Sequence, residues 1–221
     1  MATADDAAPR ITHGVAVGMV TAGAAVAGAV LGVLWARLAP PAHAVVALTH
    51  QGDRVQAYLG DEGDHFFTAP FLALGLLAVL AVVTAALAWQ WRPHRGPAMA
   101  AGLVAGLVAA AALAVLVGVA LVHHRYGAVD IDTAPVTPEH RLYYYAEAPP
   151  VFFGHLPLQV AATLLAPAAV AGFAYALCTA FTARDDLGGY PPIEPLAVEP
   201  AAAPPGATAE VTTGGGVPPH R

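Results

Sequence analysis

The sequence predicts an α-helical membrane protein: four transmembrane helices as two tandem helix–loop–helix repeats, with a small β-rich extracytoplasmic cap from the two outer loops. Three observations predict it. Charged residues are 11% of the 221 residues and hydrophobic residues 57%, whereas an ordinary globular domain carries roughly 25% charged residues. Four long stretches contain no Asp, Glu, Arg or His. The segments that separate them repeat a set of polar and aromatic landmarks at near-constant spacing.

Composition excludes several classes first. A soluble chain this poor in charge would expose too much apolar surface to stay dispersed. One cysteine excludes a disulfide-stapled domain. There is no Lys, the nine basic residues are all Arg, and the net charge is -6. Nucleic acid, which is bound by basic stripes, is therefore not an expected partner.

Residues 1–13 form a short N-terminal segment, followed by the uncharged stretch 14–36. The other stretches are 66–91, 96–122 and 156–183. About 20 apolar residues cross a hydrocarbon core ~30 Å thick, so each is long enough to span. Each must be helical, because unpaired backbone groups have no water to bond in lipid. After the first span, Ala42-His43-Ala44 has the small-x-small form of a signal-peptide cleavage site. The span is longer than a signal core and is preceded by Asp5 and Asp6 against Arg10 alone, so an uncleaved anchor is preferred.

Orientation follows from arginines close to span ends. The link Arg92-Pro93-His94-Arg95 carries two arginines in four residues and is flanked by Trp89 and Trp91. That places it in the cytoplasm, with both termini on the same side of the plasma membrane. The loops 37–65 and 123–155 then lie outside. The tail 184–221 is rich in Pro and Gly and poor in large apolar residues, a composition expected to be disordered. Within it, Gly189-Tyr190-Pro191-Pro192-Ile193-Glu194-Pro195 could dock an SH3-like or WW-like module, although a solvated linker is the preferred reading.

The internal repeat rests on aligned landmarks. Arg54 and Tyr58 recur as Arg141 and Tyr145, Phe66-Phe67 as Phe152-Phe153, and Pro70 as Pro157, at offsets of 86 or 87. Pro70 and Pro157 are expected in the first turns of spans two and four, where a missing N–H costs nothing. In the first outer loop, Val45-Val46-Ala47-Leu48-Thr49 and 54–59 flank Gln51-Gly52-Asp53, a β-hairpin pattern. In the second, 129–131 and 142–145 could pair likewise, giving a cap of about four strands. Thr137-Pro138-Glu139 competes as a helix start, and the strand reading is preferred because the repeat asks for it.

Seven of the ten histidines fall in these loops (His43, His50, His65, His123, His124, His140 and His155) among several carboxylates. Zinc or copper takes such ligands, but the spacing forms no ligand pair on a helix, and solvated loops are preferred over a metal. Asp61-Glu62-Gly63-Asp64 lacks the later ligands of a calcium loop. Asp, Glu, Arg and His are absent from the spans, which argues against an ion-coupled transporter. No nucleotide loop, nucleophile elbow or paired-acid motif appears, so neither a cofactor nor a catalytic residue is predicted. Cys178, without a partner, is read as a packing residue. Pro167 should kink the fourth span. Gly14-x-x-x-Gly18, Gly28-x-x-x-Gly32 and Gly102-x-x-x-Gly106 let helices approach closely. Packing within the chain is their default use, and a protein partner or second copy is the alternative.

The candidate binding residues are Arg54, Tyr58, Arg141 and Tyr145. Residues four apart on a strand share a face, so each Arg would stand beside its Tyr. An arginine fork takes carboxylate or phosphate and stacks on aromatic rings. The competing, preferred reading is internal pairing with Asp53, Asp64, Glu139 or Glu147.

The layout resembles an uncharacterised family of small four-span membrane proteins from high-GC actinobacteria, of the mycobacterial type. Helices free of Ser and Lys carry the resemblance, with Gly52-Asp53-Arg54-Val55, Ala57-Tyr58-Leu59-Gly60, Pro138-Glu139-His140-Arg141 and Ala148-Pro149-Pro150-Val151-Phe152-Phe153-Gly154. It covers about residues 10–185 and implies location and fold, with no activity to carry over. Two functions from different classes follow from the sequence. One is a non-enzymatic envelope protein, a scaffold or accessory subunit acting through its cap. The other is an outer-loop module that holds a metal or small ligand, with or without catalysis.

Overall fold

The computed structural model describes residues 11–127, 130–183 and 187. The tail beyond 187, the motif at 189–195 and most of the N-terminal segment lie outside the described residues. The elements are α1 (His13–Leu38), β1 (Ala42–Leu48), β2 (Arg54–Tyr58), α2 (His65–Gln90), α3 (Pro97–Tyr126), β3 (Leu142–Glu147) and α4 (Pro157–Ala180). Among the described residues, these four helices are long and apolar enough to cross a membrane.

Local chemistry explains their ends. Thr12 Oγ1 accepts the Val15 N–H at the start of α1, and α1 stops before Pro40-Pro41, whose rings disfavour helical backbone in the preceding residue. Pro97 occupies the first position of α3, where its missing N–H is harmless. Gly127 closes α3 at φ 71°, donating its N–H to His123 O at 2.9 Å. Only glycine adopts that left-handed conformation without strain. Pro157 begins α4, and Gln159 Oε1 accepts the Leu156 N–H. Pro70 departs from expectation. It lies six residues into α2, beyond the first turn, so the Phe66 carbonyl lacks its usual helical donor. Pro167 sits within α4, where the Thr163 carbonyl therefore lacks its usual helical donor.

The bundle is organised by α1 and α3, which run in the same direction. The Gly28 backbone lies on Ala110 and Gly32 on Ala114, so close that a Cβ at either glycine would enter the partner backbone. A Cβ on Gly106 would lie 2.9 Å from Thr21 Cα, and one on Gly118 would lie 2.8 Å from the Trp35 ring. Thr21 Oγ1 donates to Gly102 O at 3.0 Å across the same seam. Two of the three glycine motifs are thus spent on intrachain packing; around Gly14 and Gly18 nothing approaches within 4 Å. The second pair, α2 with α4, closes the bundle, while α2 and α3 touch little despite their short link. Met99, Leu103 and Leu107 of α3 fill the centre, fully buried. Val26, Val30, Phe71, Val79, Leu116 and Phe173 point outward and exposed. Helices that are apolar on every side are what hydrocarbon surroundings require.

Where α1 and α3 end and α2 and α4 begin, the strands form one antiparallel sheet of order β2-β1-β3. The expected first hairpin is present: Gly52, at φ 90°, turns it, and Thr49 Oγ1 accepts the Asp53 N–H at 3.0 Å. The expected second hairpin is not. Ile131 lies in a turn, Val129 is outside the described residues, and β3 pairs with β1 instead. The sheet therefore has three strands among the described residues rather than about four. Thr137 and His140 close a tight turn through Thr137 N–H to His140 O at 3.0 Å and the reverse bond at 3.1 Å. The helix start that competed at 137–139 is thereby lost. Trp35 Nε1 donates to Ala69 O at 2.8 Å in the interior, joining the end of α1 to the start of α2.

The opposite end is tied separately. Arg95 lies over the Trp89 ring at 4.2 Å and donates through Nε to Trp89 O at 2.7 Å. The Gly96 N–H is taken by Tyr175 Oη at 3.1 Å. His94 is buried in the link, its Nε2 2.9 Å from Ile11 O.

The glycine seam gives a direct prediction. Gly28→Leu and Gly106→Leu are each expected to destabilise by about 1–3 kcal/mol through overpacking. Gly14→Leu and Gly18→Leu, in open positions, should leave thermal unfolding in detergent unchanged.

Candidate functional site

The sheet has one inward face, and its rows can be read from the register. Ala42, Ala44 and Val46 of β1 are buried on it. Leu48 stands between Arg54 and Arg141, pairing with the first and donating its N–H to Arg141 O at 2.9 Å. Val46 stands between Gln56 and Tyr143, Ala44 between Tyr58 and Tyr145, and Ala42 opposite Glu147. Alternate residues share a face, so all four sequence-derived candidates and Glu147 lie on one side.

Within that face the arginines and tyrosines part company. Arg54 Nη2 reaches Ala134 O at 3.5 Å, and Arg141 Nε donates to Pro138 O at 3.1 Å. Arg141 Nη1 also lies 2.9 Å from His50 Nδ1. Both arginines thus hold the 130–140 segment over the sheet through carbonyls and an imidazole rather than carboxylates. Ala134 and Val136 seal that end against Val46. Arg141 itself stands one residue ahead of β3.

Tyr58 and Tyr145 converge instead on two residues that were not singled out as candidates. Gln56 Nε2 is 2.6 Å from Tyr145 Oη and 3.2 Å from Tyr58 Oη and Glu147 Oε2. Tyr58 Oη donates to Glu147 Oε2 at 3.2 Å. The signal for Gln56 and Glu147 was strand alternation: positions 56 and 58 face the same way, as do 145 and 147. Partial burial pushes Tyr58 up to about 12, helped by the Glu147 charge and its hydrogen bond. Tyr145 is raised by burial first and then by Glu147. At the sheet edge, Glu62 accepts both the backbone N–H of His43 and a bond from its ring, the latter at 2.8 Å. The backbone bond leads in holding the Glu62 carboxyl below its ordinary range.

This cluster borders a cleft in two adjoining parts. The larger, about 430 Å³, is lined by Phe66 and Phe67 of α2, Val119, Val122 and His123 of α3, and residues 147–155 leading to α4. The smaller, about 250 Å³, is lined by Gln56, His123, Gly127, Ile131 and 145–148. His123, Glu147 and Ala148 belong to both. Ligand clefts run about 300–1,000 Å³, mostly apolar with a few convergent polar groups, and this one has that make-up. Three loop histidines disperse, His43 to Glu62, His50 to Arg141 and His65 to Pro41 O, while His123 and His155 both border the larger part of the cleft. No set of three or more metal-ligating side chains gathers among the described residues.

Four helices of membrane-crossing length and a small sheet beside an amphipathic cleft define the class. Within it, the chain belongs to the family described as "Protein of unknown function (DUF2567)", matched over residues 24–189. It is 58% identical over 174 residues to the uncharacterized protein Rv1591 of Mycobacterium tuberculosis (strain ATCC 25618 / H37Rv), which is 78% of this chain and 90% of that relative. Against the uncharacterized protein ML1222 of Mycobacterium leprae (strain TN), identity is 54% over 180 residues, 81% of this chain and 88% of the relative. No solved structure matches.

The tyrosine cluster is testable by titration. Tyr58 is neutral below its raised value, so the stability this adds is complete below about 10 and lost as pH rises through about 12. Absorbance at 295 nm should show a component near 12 that is missing in Tyr58→Phe. In Glu147→Gln it should move down towards 10.0.

Proposed function

We propose that the protein is a multi-pass plasma-membrane protein of the cell envelope, both termini cytoplasmic, that binds an amphiphilic ligand at its sheet end without catalysis. The observation that carries this reading is the cleft. One part is walled by phenylalanines and valines, and the other is closed by Gln56, Tyr145 and Glu147, contributed by both loops. Among the described residues that line it there is neither a nucleophile beside a base nor a pair of carboxylates, the groups that acyl or glycosyl transfer uses. Its position at the helix ends supports a site where a hydrocarbon core would give way to head groups.

The double-arginine link, packed on Trp89 at the other end, supports a cytoplasmic position for that end. The sheet would then be an extracytoplasmic cap. Arg54 and Arg141 flank one β1 residue and Tyr58 and Tyr145 another. This symmetry favours the tandem repeat, with α1 and α2 as one unit and α3 and α4 as the other. A second reading, a scaffold or accessory subunit, is favoured by the opposite sheet face, where Val55, Leu142 and Tyr144 are exposed.

Two measurements test the proposal. In a Cys178→Ala background, single cysteines at Gly52 and Thr137 should react with an impermeant reagent in intact cells, and one at Ala183 should not. The reverse pattern overturns the orientation. Native mass spectrometry of the gently extracted protein should show one retained amphiphile, lost in Ala148→Trp, which fills both parts of the cleft. If wild type and variant carry the same lipid, the cleft is not the binding site.

A further inference from the structure

The chemistry lining the cleft says more than that its ligand is amphiphilic. Glu147 borders both parts. Its carboxylate accepts from Tyr58 Oη and Gln56 Nε2, but no cationic side chain lies within 4.0 Å of it among the described residues; the ion pair present there joins His43 and Glu62. A half-buried carboxylate with neutral donors alone lacks a counter-charge, and charged groups taken from water are stabilised chiefly by an opposite charge.

Among the described residues, no arginine lines either part of the cleft. Arg54 and Arg141 share the sheet face with Glu147 but sit at its far end, tied to Ala134 O, Pro138 O and His50. A phosphate head would therefore meet a carboxylate without a compensating cation. A cationic head would meet that carboxylate beside the rings of Tyr58 and Phe66, which stand edge to face at 5.1 Å. Aromatic rings attract ammonium groups through their quadrupole.

The apolar part opens sideways. Phe67 of the cleft wall is 62% exposed, and Phe71, one turn further along α2, is 63% exposed. Phe71 packs edge-on against Phe153 at 4.7 Å. The wall thus continues onto the helix surface that would face acyl chains, and a chain can enter from there while its head stays at the sheet.

Resting on the reading that the cleft binds an amphiphile, we propose that it selects one with an ammonium head, which Glu147 receives as its counter-ion. The ammonium can come from a bilayer lipid or from a free alkylamine.

The test uses the full chain in a neutral detergent at pH 8. Binding of dodecylammonium and dodecyl phosphate is compared by native mass spectrometry. The expected result is an apparent Kd about ten-fold lower for the ammonium probe, the scale of one charge-assisted contact. Glu147→Gln should erase that preference. Ile131→Arg, which sets a cation in the polar part of the cleft with Glu147, should reverse it and serves independently should the first variant not fold. Equal or better binding of the phosphate probe, or a preference that survives Glu147→Gln, overturns the head-group assignment and leaves the cleft in place. Failure of wild type to bind either probe overturns both. Purification from mixed phosphatidylethanolamine–phosphatidylglycerol nanodiscs separates the sources. Enrichment of the ethanolamine lipid identifies the bilayer, and dodecylammonium binding without that enrichment identifies a free amine.

Discussion

The contact between Gly28 and Ala110, continued at Gly32 and Ala114, sets the rest of the structure. It brings two parallel helices to backbone distance, which any side chain at either glycine would forbid. Because α1 and α3 run side by side to the same end, the chain leaves both at neighbouring points. β1 follows α1 after three residues, so its free edge is at hand when the chain returns from α3. β3 takes that edge, and the second loop is drawn onto the first. Without the seam there would be a lone hairpin, and two-stranded hairpins are marginal in water.

The cleft is the complement of that tight packing. With α1 pressed on α3 and α2 on α4, the contact between α2 and α3 is sparse. The space at their sheet end is covered by residues 147–155, where Pro149 and Pro150 cannot continue a strand. Polar groups enter this space from strand positions facing inward, and Phe66 and Phe67 enter from the first turn of α2. An amphipathic cavity arises because a sheet meets a helix bundle at an angle neither surface fills. Trp35, hydrogen-bonded to Ala69 O and packed on Gly118, ties the three helices around it.

Several elements were legible in the sequence because they depend on local chemistry. The uncharged stretches predicted helix ends to within four residues, since a charge marks where hydrocarbon would end. The hairpin at 49–53 was legible because a turn needing φ above zero selects glycine, and Gly52 supplies it. Pro70 falls beyond the first turn because α2 begins at His65, close to where the uncharged stretch itself begins. The second hairpin failed because β1 offered β3 a better partner than its own loop did, a choice between distant segments.

Alone, the sequence determined the number of membrane-length helices, their approximate limits, and which loop residues alternate on a strand. These follow from the length of uncharged runs and from two-residue periodicity, both local properties of the chain. Only the tertiary structure decided that Tyr58 and Tyr145 would meet at Gln56 and Glu147 while Arg54 and Arg141 turned to backbone carbonyls. By spacing alone, each Arg stands beside its own Tyr, because residues four apart on a strand share a face. Register across β1 separates them: it sets the tyrosines over the cleft and the arginines under the 130–140 segment. Such pairing is fixed by contacts between residues about 90 positions apart in the chain, which no spacing along one strand encodes.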